Sequence, residues 1–146
     1  MPIFRFKNEY NWDNVPVHLY KEEGSHFKSI TRQTFFKGTE DLCCEVRYFE
    51  IAAGGYSTLE RHDHEHVVII QRGSGSALVG GEVADFSAFD VITIPSRTWH
   101  QFRATGGESF GFLCIVNSQR DRPRTPGPEE LAQLKSDPVI ADFIRT

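Results

Sequence analysis

Between positions 60 and 66 the chain reads Glu-Arg-His-Asp-His-Glu-His, three of its six histidines interleaved with three carboxylates. Imidazole and carboxylate are the borderline donors that hold divalent transition metals. If residues 56–62 form a strand, Glu60 and His62 lie two apart and project from one face. A tight turn through Asp63, His64 and Glu65 can then bring His66 back beside them. A fourth donor stands further on. Residues 90–102 read as a strand, a turn bounded by Pro95, and His100 opening the next strand. Alone, the heptad reads equally well as a solvated loop. With His100 in place the metal reading is the better one.

The elements that must position these donors are short strands punctuated by glycine. Residues 42–52 are rich in β-branched and aromatic types, and Gly54-Gly55 breaks the run. Residues 67–71 are apolar on both faces, and Gly80-Gly81 suits a two-residue hairpin. Residues 77–79, 89–95, 100–104 and 109–117 complete the series. Even spacing without helical periodicity predicts an antiparallel sandwich or barrel. Residues 1–35 carry scattered aromatics and read as an arm with one or two extra strands, packing on the barrel or on a partner subunit. Residues 36–120 form the barrel and 121–146 a helical tail. Thr125-Pro-Gly-Pro-Glu-Glu and Ser136-Asp-Pro each carry helix-start signals. The stretch Arg120 to Arg124 reads as a solvated connector.

The two histidine segments together resemble the cupin family of small jelly-roll β-barrels. The resemblance covers residues 42–117. Gly73 anchors the family's first motif, and Asp90 and Pro95 anchor the second. His100 falls at the second motif's histidine. Counting back from Gly73 puts His66 at the glutamate position, His62 at the second histidine and Glu60 at the first. Histidine and glutamate have exchanged places, and the set remains three histidines and one acid. Pairing His62 with His64 instead would put Val68 at the glutamate position and lose the carboxylate. Phe89 stands where the family usually has glycine. The resemblance implies an all-β antiparallel jelly-roll (cupin) barrel, with Glu60, His62, His66 and His100 around one divalent metal.

Such a ligand set suits Fe, Mn, Ni, Co or Zn. Two function classes follow. One is a metalloenzyme, either dioxygenase-like or a non-redox isomerase or lyase acting on a small oxygen-containing molecule. The other is a non-catalytic module that binds or senses a small molecule or metal. Tyr56, Arg97, Gln101, Phe102 and Phe112 are candidates for the pocket wall or for contacts behind the ligands. His64 reads as a solvated turn residue, and His18 and His26 as surface residues. Net charge of −4 argues against the dense basic patch that binding phosphates needs, so nucleic acid is not an expected partner. No apolar run approaches the ~20 residues of a membrane helix. Cys43, Cys44 and Cys114 have no disulfide spacing and sit in apolar runs as small hydrophobes. That usage points to a reducing cytoplasm. Exposed barrel edges, with the aromatic arm to cover them, lead us to expect a homodimer.

Overall fold

The computed structural model describes residues 3–21 and 25–146. Its nine strands are β1 (His18–Leu19), β2 (Lys28–Phe36), β3 (Cys44–Tyr56), β4 (His66–Arg72), β5 (Ser74–Val79), β6 (Glu82–Ser87), β7 (Val91–Ile94), β8 (His100–Arg103) and β9 (Phe110–Asn117). Two helices follow, α1 (Pro128–Leu134) and α2 (Pro138–Phe143). All pairings are antiparallel, and the sheet runs β6-β5-β8-β3-β9-β4-β7. Strand β3 is the hub. It pairs with β2 along one side, with β9 along the other, and with β8 through Tyr56 and Arg103. The sheet curls into the jelly-roll barrel expected from the sequence.

Side-chain alternation fills the barrel. On β3, Phe49 and Ile51 face the core, where they meet Val68, Ile70, Phe102, Phe110 and Phe112. Tyr48, one residue before Phe49, faces the opposite side and meets the arm. There Tyr10 stacks on it at 5.8 Å and Trp12 packs edge-on at 5.0 Å. The Tyr10 hydroxyl donates to the Gln71 carbonyl, and Gln33 Nε2 donates to the Tyr10 carbonyl. The arm therefore covers the outer face of its own sheet. Of the arm expected over 1–35, residues 1–2 and 22–24 lie outside the described residues. The extra strands expected in the arm are β1 and β2, and β2 joins the sheet along β3.

The tail docks rather than dangles. Ile140, Phe143 and Ile144 bury themselves against Leu59 and Leu78 as a second apolar cluster. Both helix starts fall where proline and acids placed them. The Glu130 carboxylate accepts from the Gly127 N–H, and Asp137 accepts from the N–H groups of Val139 and Ile140.

Two local expectations change. The strand expected over 56–62 ends at Tyr56. Beyond it Ser57 Oγ accepts the Phe102 N–H, and Gln101 Nε2 donates to the Ser57 carbonyl. Side-chain bonds replace a regular ladder there, and only isolated bridges, Glu60 to His100 and Arg61 to Arg124, follow. Cys43 is exposed, not packed, because it sits in the bend before β3, its thiol near the carbonyls of Thr39 and Glu40.

Gly73 joins β4 to β5 with φ +67°, and a Cβ there would overlap the Ser109 carbonyl. Left-handed backbone costs an L-residue about 1–2 kcal/mol, and overlap with fixed backbone about 1–3 kcal/mol more. Gly73→Ala is expected to lower stability by about 2–5 kcal/mol, read as a lower denaturant midpoint. A midpoint equal to wild type would refute this account of the motif glycine. Phe89 takes the same left-handed conformation with φ +79° and is 82% exposed. It adopts the conformation for which the family's glycine is suited.

Candidate metal centre

His66 opens β4, opposite Ile94 of β7 and Val116 of β9, and therefore sits at the mouth of the barrel. His100 opens β8 and is 3% exposed. Reciprocal backbone bonds between His100 and Glu60, 3.1 and 3.0 Å, fix the approach of the preceding loop. His62 rides on that loop, its carbonyl accepting from the Arg97 N–H at 2.7 Å. The three rings form a nearly equilateral triangle with centroid separations of 4.9, 5.0 and 5.1 Å. One nitrogen from each lies within 4.8 Å of the others.

The ring orientations are set from behind. His62 Nδ1–H donates to the His64 carbonyl at 2.7 Å, and His100 Nδ1–H to the Thr98 carbonyl at 2.9 Å. Both therefore turn the Nε2 lone pair inward. His66 Nδ1 meets the Cys114 thiol at 3.3 Å, and its Nε2 is buried without a hydrogen-bond partner among the described residues. A buried imidazole nitrogen is costly to leave unpaired. Burial, the largest cause, pushes the His66 pKa down to about 2 and that of His100 to about 4. The neighbouring histidines push the same way. Burial also lowers His62. All three are thus neutral near pH 7, the form that binds metal. The orphaned His66 nitrogen and the two inward lone pairs of His62 and His100 fit a divalent transition ion.

Glu60 lines the same cavity, but its carboxylate stands outside the imidazole cluster. Its oxygens accept from Lys21 Nζ at 3.0 Å and from the Tyr20 hydroxyl at 3.3 Å. The structure thus brings together three of the four expected ligands and holds the fourth in an ion pair at the cavity edge. Phe102 and Phe112 line the cavity as expected. Tyr56, Arg97 and Gln101 do not. Tyr56 belongs to the strand junction with β8. Arg97 is exposed and pairs with Asp63 at 2.8 Å. Gln101 is fully buried and anchors the tail, bonding Ser57 and both backbone groups of Arg145.

His64 is not a solvated turn residue. Its side chain is only 9% exposed, its ring stacks on His62 at 3.6 Å, and its Nδ1 contacts Asp121 at 2.6 Å. Asp121 also accepts the backbone N–H groups of Asp63 and His64. One carboxylate thereby clamps the turn that carries two of the histidines and aims the His64 carbonyl at His62. Asp121 lies in the stretch read as a solvated connector, which is instead tied to the loop. Arg124 pairs backbone to backbone with Arg61, and both guanidiniums flank Trp99. Short-range sequence gave no signal for this clamp, because its partners are 57 and 58 residues apart. His18 and His26 are exposed.

A barrel mouth with three convergent imidazoles defines the cupin class, and the comparisons agree. The family model for the cupin domain matches residues 47–116. A 1-methylthio-D-xylulose 5-phosphate methylsulfurylase from Rhodospirillum rubrum is 48% identical over 98% of this chain and 92% of its own length. The crystal structure of a cupin 2 conserved barrel domain protein from Rhodopseudomonas palustris superposes with a TM-score of 0.94 at 48% identity, covering 99% of this chain and all of that one. A cupin-2 domain structure from Rhodospirillum rubrum gives a TM-score of 0.87 at 46% identity, covering 98% and 96%. This chain belongs to the cupin superfamily.

Proposed function

We propose that this chain is a divalent-metal-dependent cupin enzyme that acts on a methylthio-substituted ketose phosphate, at the methylthio-bearing end. The observation that carries the metal part is the orphaned His66 Nε2 beside two histidines whose other nitrogens are tied to carbonyls. The substrate class is supported by the likeness to the methylsulfurylase, which runs through nearly the whole length of both chains. The cavity wall agrees with it. Phe49, Phe102 and Phe112 offer apolar surface to a methylthio group, while Arg47 and Arg120 offer charge to an anion. His62, His66 and His100 would hold the metal. When bound, it supplies Lewis acidity toward a ketone oxygen. Tyr20 keeps its proton, because burial, and then the Glu60 charge, raise its pKa well above the ordinary value. It lines the cavity with that proton directed at Glu60.

The oxygenase reading has a thinner basis. Its relative, a 5-nitrosalicylic acid 1,2-dioxygenase from Bradyrhizobium sp, matches at 38% identity over 38% of this chain and 27% of its own length. We place the protein in a reducing compartment as a homodimer, with exposed Phe89 and Val91 at the β7 edge as contact surface. No helix among the described residues is long and apolar enough to cross a membrane.

The test is turnover. Protein stripped with a chelator and reloaded singly with Mn, Fe, Co, Ni or Zn is offered 1-methylthio-D-xylulose 5-phosphate and a thiol. Metal-dependent loss of the methylthio group is the expected result. No consumption with any of these metals, with oxygen uptake on catechol-like or diketone compounds instead, would overturn the reading in favour of an oxygenase.

A further inference from the structure

We infer that Arg47, assisted by Arg120, is the subsite that receives the phosphate monoester of the substrate; this rests on the functional reading above and specifies where its anionic end lies. Arg47 projects from β3 on the same face as Phe49 and Ile51, so its guanidinium enters the barrel beside the histidine cluster. Its guanidinium carbon lies 5.1 Å from the centre of the Phe49 ring, a cation–π contact within the cavity wall that both residues line. The partners it has are poor. Nη2 donates to the Cys114 thiol at 3.3 Å, a weak acceptor. Nε is buried with no hydrogen-bond partner among the described residues. The nearest carboxylate, Glu45, is 3.7 Å from Nε and is already bound to Arg120 at 2.7 Å.

Charge bookkeeping around the cavity isolates this pair. Glu60 is balanced by Lys21, and Asp121 lies against His64. Arg47 and Arg120 share the single carboxylate of Glu45. A half-buried guanidinium without a full set of acceptors is costly unless a ligand completes it, and a phosphate offers oxygens matched to that fork. The position suits one molecule spanning both places. Cys114 alone separates Arg47 from His66, with contacts of 3.3 Å to each. A short sugar chain with its carbonyl end at the imidazoles can therefore rest its phosphate on Arg47.

The experiment is calorimetric titration of the metal-free protein with inorganic phosphate, D-xylulose 5-phosphate and D-xylulose. Removing the metal leaves the arginines as the phosphate's partner. The sugar phosphate should bind and the plain sugar should not, with inorganic phosphate separating free-anion capture from recognition of the ester. Arg47→Gln should weaken sugar-phosphate binding about 10- to 100-fold, the loss of a charge-assisted hydrogen bond. Zinc affinity should not fall, since the change removes a positive charge near His66. Arg47→Lys should recover only part of the loss, because the ammonium lacks the fork. Unchanged phosphate affinity in a folded Arg47→Gln protein overturns the inference. Should that variant fail to fold, Arg120→Gln decides, and full phosphate affinity there overturns it equally. Arg47-dependent phosphate binding without any turnover of the methylthio sugar would leave the subsite standing and sink the proposed reaction. Wild-type turnover by Arg47→Gln would do the reverse.

Discussion

His100→Ala is expected to leave the protein unable to hold a divalent metal at micromolar concentration. His100 supplies one of the three imidazole nitrogens of the cluster, and its ring is locked by the Thr98 carbonyl and by burial. Losing a group that merely orients a ligand costs roughly 10–100-fold in affinity, and losing the ligand itself costs more. His62→Ala should behave alike. His64→Ala is the informative control. The His64 ring is stacked on His62 and paired with Asp121, but what holds His62 in place is the backbone carbonyl, which alanine retains. Most of the affinity should survive. Metal content per chain after dialysis, alongside circular dichroism to confirm folding, measures all three. Equal losses from His64→Ala and His100→Ala would mean that the ligand register is wrong.

Acid should unfold the metal-free protein well before it unfolds an ordinary barrel. In the unfolded chain a histidine titrates near about 6.5. In the fold, burial lowers His66 to about 2 and His100 to about 4, and lowers His62 as well. Below about pH 6.5 the unfolded chain takes up protons that the folded one refuses. Stability is therefore full above that value and falls as the pH drops toward 4, by about 1.4 kcal/mol per pH unit for each such histidine. Bound metal should blunt the loss, since it stabilises the neutral imidazoles, until protons displace it. Denaturant midpoints of stripped and zinc-loaded protein, taken between about pH 7.5 and about pH 5, test this. A flat profile for the stripped protein would contradict the neutral, buried cluster.

The legibility of this site followed the range of its interactions. Strand β4 was readable because residues 67–71 are apolar on both faces and flanked by a histidine and a glycine, all local facts. Gly73, Pro95 and the spacing to His100 were readable for the same reason. Glu60 was expected beside the imidazoles from a regular strand through His62, whereas its carboxylate meets Lys21 and Tyr20. The strand ends at Tyr56 because Ser57 and Gln101 bond across the turn, which alternation alone does not reveal. Gln101, beside His100 in sequence, is turned away from the histidine cluster by the tail, 44 residues further along.

By itself, the order of residues determined the rolled antiparallel sheet and the three histidines, since both follow from alternation, glycine turns and short spacings that the backbone must obey. Only the tertiary structure decided which acid does what. Lys21 draws Glu60 into an ion pair, and Asp121 folds back to clamp the histidine turn. A carboxylate's role depends on which cation or N–H group the fold brings within about 3 Å of it, and those partners come from distant parts of the chain.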